Sequence, residues 1–113
     1  MHAEPEYPER EACQNQAMAL LHDDALAALG TSHPDWTVDG ASMSRTFTFS
    51  DFIGAMGFVT EIALLAEKAF HHPDIDIRWN QVTLVLSTHS EGGLTEQDLA
   101  LASAIDGAHK SQP

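Results

Sequence analysis

The stretch that decides the fold runs from Glu67 to Asp98 and reads EKAFHHPDIDIRWNQVTLVLSTHSEGGLTEQD. It links the end of a long apolar-periodic segment to a histidine doublet and a proline, and then to a third histidine, His89. Proline disfavours the helical conformation at the residue before it, so Pro73 predicts that the preceding helix ends near His71. Three imidazoles at the ends of predicted elements make this stretch the first candidate for a functional site.

Strand signals lie on both sides of the doublet. The predicted strands, each with alternating apolar and polar residues or next to a turn signal, are Trp36–Val38, Ala41–Phe49, Asp74–Trp79 and Val82–Thr88. The dipeptide Asp39-Gly40 predicts a tight turn between the first two strands, because glycine and aspartate accept the positive φ that such turns need. Asn80-Gln81 predicts the turn between the last two, and we expect Glu91-Gly92-Gly93 to form a flexible loop.

The predicted central helix follows the first hairpin. Ser50 is its expected N-cap, with Asp51 at the positive end of the helix dipole. Gly54 and Gly57 lie inside it, where glycine costs up to about 1 kcal/mol relative to alanine, so we interpret both as close-packing positions. The apolar residues that recur at helical spacing, and that we expect to face the core, are Phe52, Met56, Val59, Ala63, Ala66 and Phe70.

Two further helices are predicted at the ends of the chain. Good helix formers fill Glu9–Leu29, with Gly30 as the expected stop and the start left open between Pro8 and a cap at Asp23 or Asp24. The last helix begins at Thr95, where Asp98 three residues later makes a candidate capping box. Its expected apolar face and end are Leu99, Ala102, Ile105 and Gly107.

The order helix, strand, strand, helix, strand, strand, helix predicts an α+β fold. Two hairpins separated by a helix indicate a four-stranded antiparallel sheet with three helices packed on one face. A length of 113 residues fits one domain. We therefore expect a single domain over residues 1–113, with residues 1–20 as a variable N-terminal extension. The opposite sheet face and the sheet edges would be free for self-association.

Composition excludes several classes of protein. The net charge of −12 argues against nucleic acid and anionic membranes as partners. The single cysteine, Cys13, excludes an internal disulfide framework and a cysteine-based zinc site. No run approaches the roughly 20 apolar residues of a membrane span, and the first ten residues do not resemble a signal peptide. A cytoplasmic location is the expectation.

The histidines leave three interpretations open. Four of the seven, at positions 2, 22, 33 and 109, are expected to be solvated. His71 and His72 could be a surface pair that the negative end of a helix dipole favours. Three histidines can also hold zinc, but adjacent residues point in different directions and no histidine pair has helical i, i+4 spacing, so a metal is disfavoured.

Proton transfer is the third interpretation. Imidazoles exchange protons near neutral pH, so two of them can serve one substrate as acid and base. Glu67 precedes His71 by four residues and would orient that ring if the helix persists. His89 ends the last predicted strand and would reach the same space. Asp98 is either a second orienting carboxylate or only a helix cap.

These residues resemble the pterin-4a-carbinolamine dehydratase family. The motif is Glu67-x-x-x-His71-His72-Pro73, followed at fixed gaps by Trp79, His89 and Asp98. The flanking segments that also match are Phe47–Phe52, Trp79–Val82, Leu86–His89 and Gly92–Thr95. The resemblance extends from about Leu21 to Asp106.

The resemblance implies a function as well as the fold already predicted. The family reaction dehydrates a 4a-hydroxytetrahydropterin to quinonoid dihydropterin and water, and so recycles the tetrahydropterin that aromatic amino-acid hydroxylases use. It implies no metal or other cofactor. His71 and His89 would be the acid/base pair, in either order, and His72 would mainly bind and orient the pterin. The implied binding residues are Pro73, Thr88, Ser90 and Glu91, and the implied supporting residues are Glu67, Trp79 and Asp98.

The resemblance also implies a homodimer or homotetramer and a functional link to a hydroxylase. Ile75 and Ser90 depart from residues that are frequent in the family, which bears on substrate preference. The alternative function is a non-catalytic pterin-binding or regulatory dimerisation protein on the same fold. An open pocket holding all three histidines favours the enzyme, whereas a pocket filled by Trp79 or Phe70 favours the binding protein.

Overall fold

The computed structural model describes residues 19–111, and its elements follow the predicted order. The helices are α1 (Asp23–Ser32), α2 (Phe52–Ala69) and α3 (Glu96–Lys110). The strands are β1 (Thr37–Asp39), β2 (Ser42–Thr48), β3 (Asp74–Arg78) and β4 (Gln81–Leu86). A short 3-10 turn, His89–Glu91, lies between β4 and α3. The α+β prediction is confirmed.

The four strands form one antiparallel sheet in the order β1-β2-β4-β3. Met43 lies opposite Leu86 and Phe47 lies opposite Val82, so one face of the two central strands is apolar. The helices cover that face, and the core they form with it includes Leu29, Met43, Phe47, Phe58, Ile62, Val82, Leu84, Leu86, Leu101 and Ile105. The other face is polar, and there Thr46 and Thr83 share a hydrogen bond of 2.8 Å.

The buried face of α2 differs from the prediction. Its buried residues are Ala55, Phe58, Ile62 and Ala66, so only Ala66 of the predicted stripe is fully buried. Phe52 and Met56 are exposed, as is Ile53. The prediction was wrong because α2 carries apolar residues around most of its circumference, and helical spacing alone then fits more than one face.

Asp51 caps α2 in place of the predicted Ser50. Its side chain accepts a hydrogen bond of 2.9 Å from the backbone N–H of Gly54. A Cβ at Gly54 would lie 3.3 Å from the Cβ of Phe49, which confirms close packing there. A Cβ at Gly57 would meet nothing within 4 Å, so the same interpretation of Gly57 was wrong.

Two helices run past their predicted glycine stops. α1 passes Gly30 and ends at Ser32, and α3 passes Gly107 and ends at Lys110. Neither glycine has a positive φ, so neither takes the left-handed conformation with which glycine usually ends a helix. The residue before α1 is His22, and the first part of the predicted helix Glu9–Leu29 lies outside the described residues.

Both hairpin turns are shifted by one residue from the prediction. Asp39 pairs with Ser42, so the turn residues are Gly40-Ala41, and Gly40 has a φ of 61°. Arg78 pairs with Gln81, so the second turn is Trp79-Asn80. The strand pairing overrides the local turn signal because the buried face of each strand must stay in register.

Two histidines predicted to be solvated have partners in the fold. The ring of His109 packs 4.8 Å from that of Phe47, measured between centroids, and also contacts Phe49 and Phe58. His33 Nε2 lies 2.9 Å from the hydroxyl oxygen of Ser103. His22 is exposed, and His2 lies outside the described residues.

Candidate active site

A cleft of about 250 Å³ opens where the chain leaves α2 and where it leaves β4. Its walls contain all three histidines of the sequence motif. The lining residues are Phe70, His71, His72, Ser87, Thr88, His89, Ser90 and Gln97. Phe70 forms part of the wall and leaves the cleft open. The cleft therefore meets the criterion that favours an enzyme over a binding protein.

The end of α2 positions the histidine doublet. Phe70 adopts the left-handed conformation with a φ of 54°, which stops the helix one residue before the doublet. The backbone N–H of His71 still donates to the carbonyl oxygen of Ala66 at 3.2 Å. His71 is therefore tied to the last turn of α2 while Pro73 directs the chain into β3.

A hydrogen-bonded turn after β4 holds the third histidine. The backbone N–H of Thr88 donates to the carbonyl of Gly93 at 2.9 Å, which closes a loop around the 3-10 turn. Gly92 has a φ of 72°, a conformation that favours glycine. The segment predicted to be a flexible loop is thus a closed turn with its own bonds, and it places the exposed His89 at the cleft.

His71 is paired with the carboxylate of Asp98. Its Nε2 lies 2.6 Å from Asp98 Oδ1, and the two side chains are 11% and 0% exposed. An ionised carboxylate only accepts hydrogen bonds, so the imidazole donates from Nε2. The second ring nitrogen, Nδ1, then carries the lone pair when the imidazole is neutral.

The other oxygen of Asp98 belongs to the start of α3. Oδ2 accepts from the Thr95 backbone N–H at 2.9 Å and from the Thr88 hydroxyl at 2.8 Å. The hydroxyl oxygens of Thr88 and Thr95 are 2.7 Å apart, and all three residues are buried. The predicted capping box is confirmed. Asp98 therefore both bonds the His71 ring and caps α3, because each of its oxygens has its own partners. The sequence had left these two roles as alternatives.

Glu67 pairs with the other member of the doublet. Its Oε1 lies 2.5 Å from His72 Nε2, with the two side chains 73% and 57% exposed. The expectation that Glu67 orients His71 was wrong. The i, i+4 rule requires a continuous helix, and α2 ends at Ala69, before His71 is reached.

The remaining predicted site residues lie at different distances from the cleft. Pro73 and Glu91 are each next in sequence to a lining residue. Trp79 lies in the β3–β4 turn and is exposed. That turn precedes β4 and His89 follows it, so the two residues lie at opposite ends of a six-residue strand, which spans roughly 20 Å.

Within residues 19–111 there is no group of three or more histidine, cysteine, aspartate or glutamate side chains that could hold a metal ion. The cleft histidines are spread over its walls, and two of them, His71 and His72, are paired with separate carboxylates. Over the same residues, no helix combines the length and the apolar character needed to cross a membrane.

The sequence comparisons agree with the motif. A family model described as pterin 4 alpha carbinolamine dehydratase matches residues 19–108. The chain belongs to this family. It is 55% identical over 89 residues to a Mycobacteroides abscessus protein named "Putative pterin-4-alpha-carbinolamine dehydratase", covering 79% of this chain and 95% of that one. A Chloroflexus aurantiacus protein of the same name is 51% identical over 89 residues, covering 79% and 96%.

Solved structures give the same fold. The transcriptional coactivator/pterin dehydratase from Brucella melitensis is 35% identical, has a TM-score of 0.75, and covers 80% of this chain and 98% of its own. A pterin dehydratase-like protein described as a RuBisCO assembly factor in the alpha-carboxysome has a TM-score of 0.56. It is 22% identical and covers 68% and 89% of the two chains, so it supports the fold alone.

Proposed function

We propose that this member of the family is an active dehydratase that converts a 4a-hydroxytetrahydropterin to quinonoid dihydropterin and water. The observation that carries the proposal is the open cleft lined by His71, His72 and His89, with a buried carboxylate bonded to one of them. The reaction needs groups that exchange protons near neutral pH, and imidazoles do so.

The reaction needs two proton movements that balance. The 4a-hydroxyl leaves as water after it accepts a proton, and the carbon–oxygen electron pair leaves with it. The neighbouring ring nitrogen loses its proton as its electron pair forms the new carbon–nitrogen double bond. One acid and one base therefore serve both ends of the reaction, and a positioned pair contributes about 10²- to 10⁴-fold to such a rate.

The pairing with Asp98 supports His71 as the base. Donation from Nε2 to the carboxylate leaves the Nδ1 lone pair to take the ring proton. Asp98 would also stabilise the imidazolium that forms. His89 is the complementary acid in this proposal, and its exposure lets it recover a proton from water. His72 is bonded to a surface carboxylate and would bind and orient the pterin.

The proposal includes self-association of the chain. Ile53, Met56 and Leu64 are exposed along one side of α2, and we assign that side to contacts in a homodimer or homotetramer. The proposed product also indicates where the enzyme acts. Quinonoid dihydropterin is the oxidised form of the cosubstrate of aromatic amino-acid hydroxylases. The enzyme would therefore act beside such a hydroxylase in tetrahydropterin recycling.

The decisive experiment follows the absorbance of freshly generated 4a-hydroxytetrahydropterin with and without catalytic amounts of the protein. We expect a saturable acceleration of its decay that is lost in His89→Ala. No acceleration by a folded sample would refute the dehydratase. Pterin binding without turnover would instead support the alternative, a non-catalytic binding or regulatory protein. The Brucella relative is described as both coactivator and dehydratase, and its description as a coactivator is the reason for testing the alternative.

A further inference from the structure

Gln97 carries a buried polar atom that the fold does not satisfy. Its Oε1 is inaccessible to solvent and has no hydrogen-bond partner among residues 19–111. Gln97 is the second residue of α3, and its backbone N–H is satisfied by the Thr95 hydroxyl at 3.2 Å. The unsatisfied group is therefore the side-chain oxygen, whereas the backbone N–H at the helix start has a partner. Such groups are rare in folded proteins and call for an explanation.

The position of Gln97 suggests a reason for the unsatisfied oxygen. Its side chain lines the histidine cleft, and it also lines a larger groove of about 610 Å³ between α2 and α3. His71 is the other residue shared by the two cavities. The apolar residues of the larger groove, which cannot donate to the amide, are Leu65, Ala69, Ala100, Leu101 and Ala104. Lys68 and Glu96 also line this groove, and neither is bonded to the amide oxygen. A ligand bound in the cleft would supply the missing donor.

We propose that Gln97 binds the substrate directly, an inference that rests on the proposed function. When the cleft is occupied, the side-chain amide turns toward it and its oxygen accepts a hydrogen bond from an N–H group of the pterin ring. A pterin offers such donors at its amino group and ring nitrogens. The amide N–H₂ can donate to a ring carbonyl at the same time. Ligand binding would relieve the unpaired state of the free protein.

The test uses Gln97→Met, which keeps the length of the side chain and removes its polar atoms. We expect KM for the 4a-hydroxytetrahydropterin to rise about tenfold, the scale of one lost hydrogen bond, with kcat changed less than threefold. Replacing an unsatisfied buried polar group by an apolar one of similar shape is neutral or stabilising. The thermal midpoint of the free protein should therefore stay the same or rise.

The matched control is Gln81→Met. Gln81 is exposed at the start of β4 and lines neither cavity. We expect its KM, kcat and thermal midpoint to match those of the parent protein. A second readout, independent of turnover, is calorimetric titration with a 7,8-dihydropterin, which lacks the 4a-hydroxyl and cannot be dehydrated. Gln97→Met should weaken this binding by about the same factor as it raises KM.

Each outcome separates this inference from the proposed function. Normal turnover with unchanged KM and unchanged dihydropterin binding in Gln97→Met would overturn the inference and leave the dehydratase standing. A marked fall in the thermal midpoint would also overturn it, because the residue would then be structural. Absent turnover with dihydropterin binding that Gln97→Met weakens would support the inference and refute the dehydratase. Absence of both turnover and binding in the parent protein would refute both.

Discussion

Asp98 bonds His71 with one carboxylate oxygen, Oδ1, and leaves the other to the start of α3. The imidazole at the cleft is thereby joined to the capping box of a helix that begins 25 residues later in the sequence. Because both oxygens are used and the carboxylate is fully buried, the ring cannot turn without breaking a buried, charge-assisted hydrogen bond. The geometry of the proposed base therefore depends on the folding of α3.

Asp98→Asn should separate the two uses of this carboxylate. An amide has one acceptor oxygen in place of two, so either the cap or His71 faces an N–H₂ group. If His71 faces it, the ring must adopt the other tautomer and lose the lone pair at Nδ1. We expect kcat to fall about 10²-fold or more and the free energy of unfolding to fall by about 1–3 kcal/mol. Turnover within twofold of the parent rate would contradict the role proposed for the pair.

Glu67→Gln should have a much smaller effect, although Glu67 belongs to the same sequence motif. The pair with His72 is exposed on both sides, and such pairs contribute at most about 1 kcal/mol. We expect the unfolding free energy to change by less than that amount and kcat to change less than fivefold. Stopped-flow assays of Glu67→Gln beside Asp98→Asn provide the comparison. Equal losses in the two variants would show that the carboxylates are equivalent.

The three histidines should differ in the kinetic parameter that each variant changes. We expect His71→Ala and His89→Ala to lower kcat by about 10²-fold or more, because each removes a proton-transfer group. We expect His72→Ala mainly to raise KM, because it removes a binding group. Saturation curves for all three variants test this division. Normal turnover in both His71→Ala and His89→Ala would refute histidine catalysis altogether.

A polar cluster outside the cleft should affect stability without affecting turnover. Arg45 Nη1 lies 2.7 Å from Asp106 Oδ1, and the indole N–H of Trp36 donates to the same carboxylate at 2.9 Å. Asp106→Ala removes the partner of the Trp36 indole and leaves Arg45 only its weaker pair with Asp35, 3.8 Å away. It should cost about 2–4 kcal/mol of unfolding free energy, with kcat unchanged. Asp76→Ala is the control, because its pair with Arg78 is exposed and should cost less than about 1 kcal/mol. A large loss of kcat in Asp106→Ala would show that this cluster is not independent of the active site.

The sequence alone predicted the element order because its signals are local. Alternation, Pro73 and the Thr95–Asp98 spacing each act within a few residues, and the strands, the end of α2 and the capping box follow from them. The three histidines were expected in one space because each lies at the end of a predicted element, and the resemblance gave them roles. The cleft contains all three.

The carboxylate partners could not be predicted in the same way. The Glu67–His71 prediction assumed that the helix continued, whereas the left-handed Phe70 ends it. The true partner of His71 comes from another helix, and no local pattern reveals such a contact. The unpaired oxygen of Gln97 was missed for the same reason, since it depends on what surrounds the side chain.

The exposed side of α2 leads to the last prediction. Ile53 is 80% exposed and Leu64 is 68% exposed, with Met56 between them at helical spacing. Soluble monomers seldom leave such a run of large apolar side chains in water, and a second copy would cover it. We expect the parent protein to be a homo-oligomer by light scattering at micromolar concentration, and Ile53→Glu with Leu64→Glu to be monomeric. Charges at the centre of an apolar interface lose hydration without gaining partners.

The control for that experiment is Lys110→Glu, which makes the same change in net charge at the exposed end of α3. It should leave the assembly intact, because only the position of the new charge differs. Circular dichroism of the double variant should match the parent spectrum, since neither residue contributes to the core. A parent protein that is already monomeric, or a double variant that still assembles, would mean that this side of α2 is not the interface.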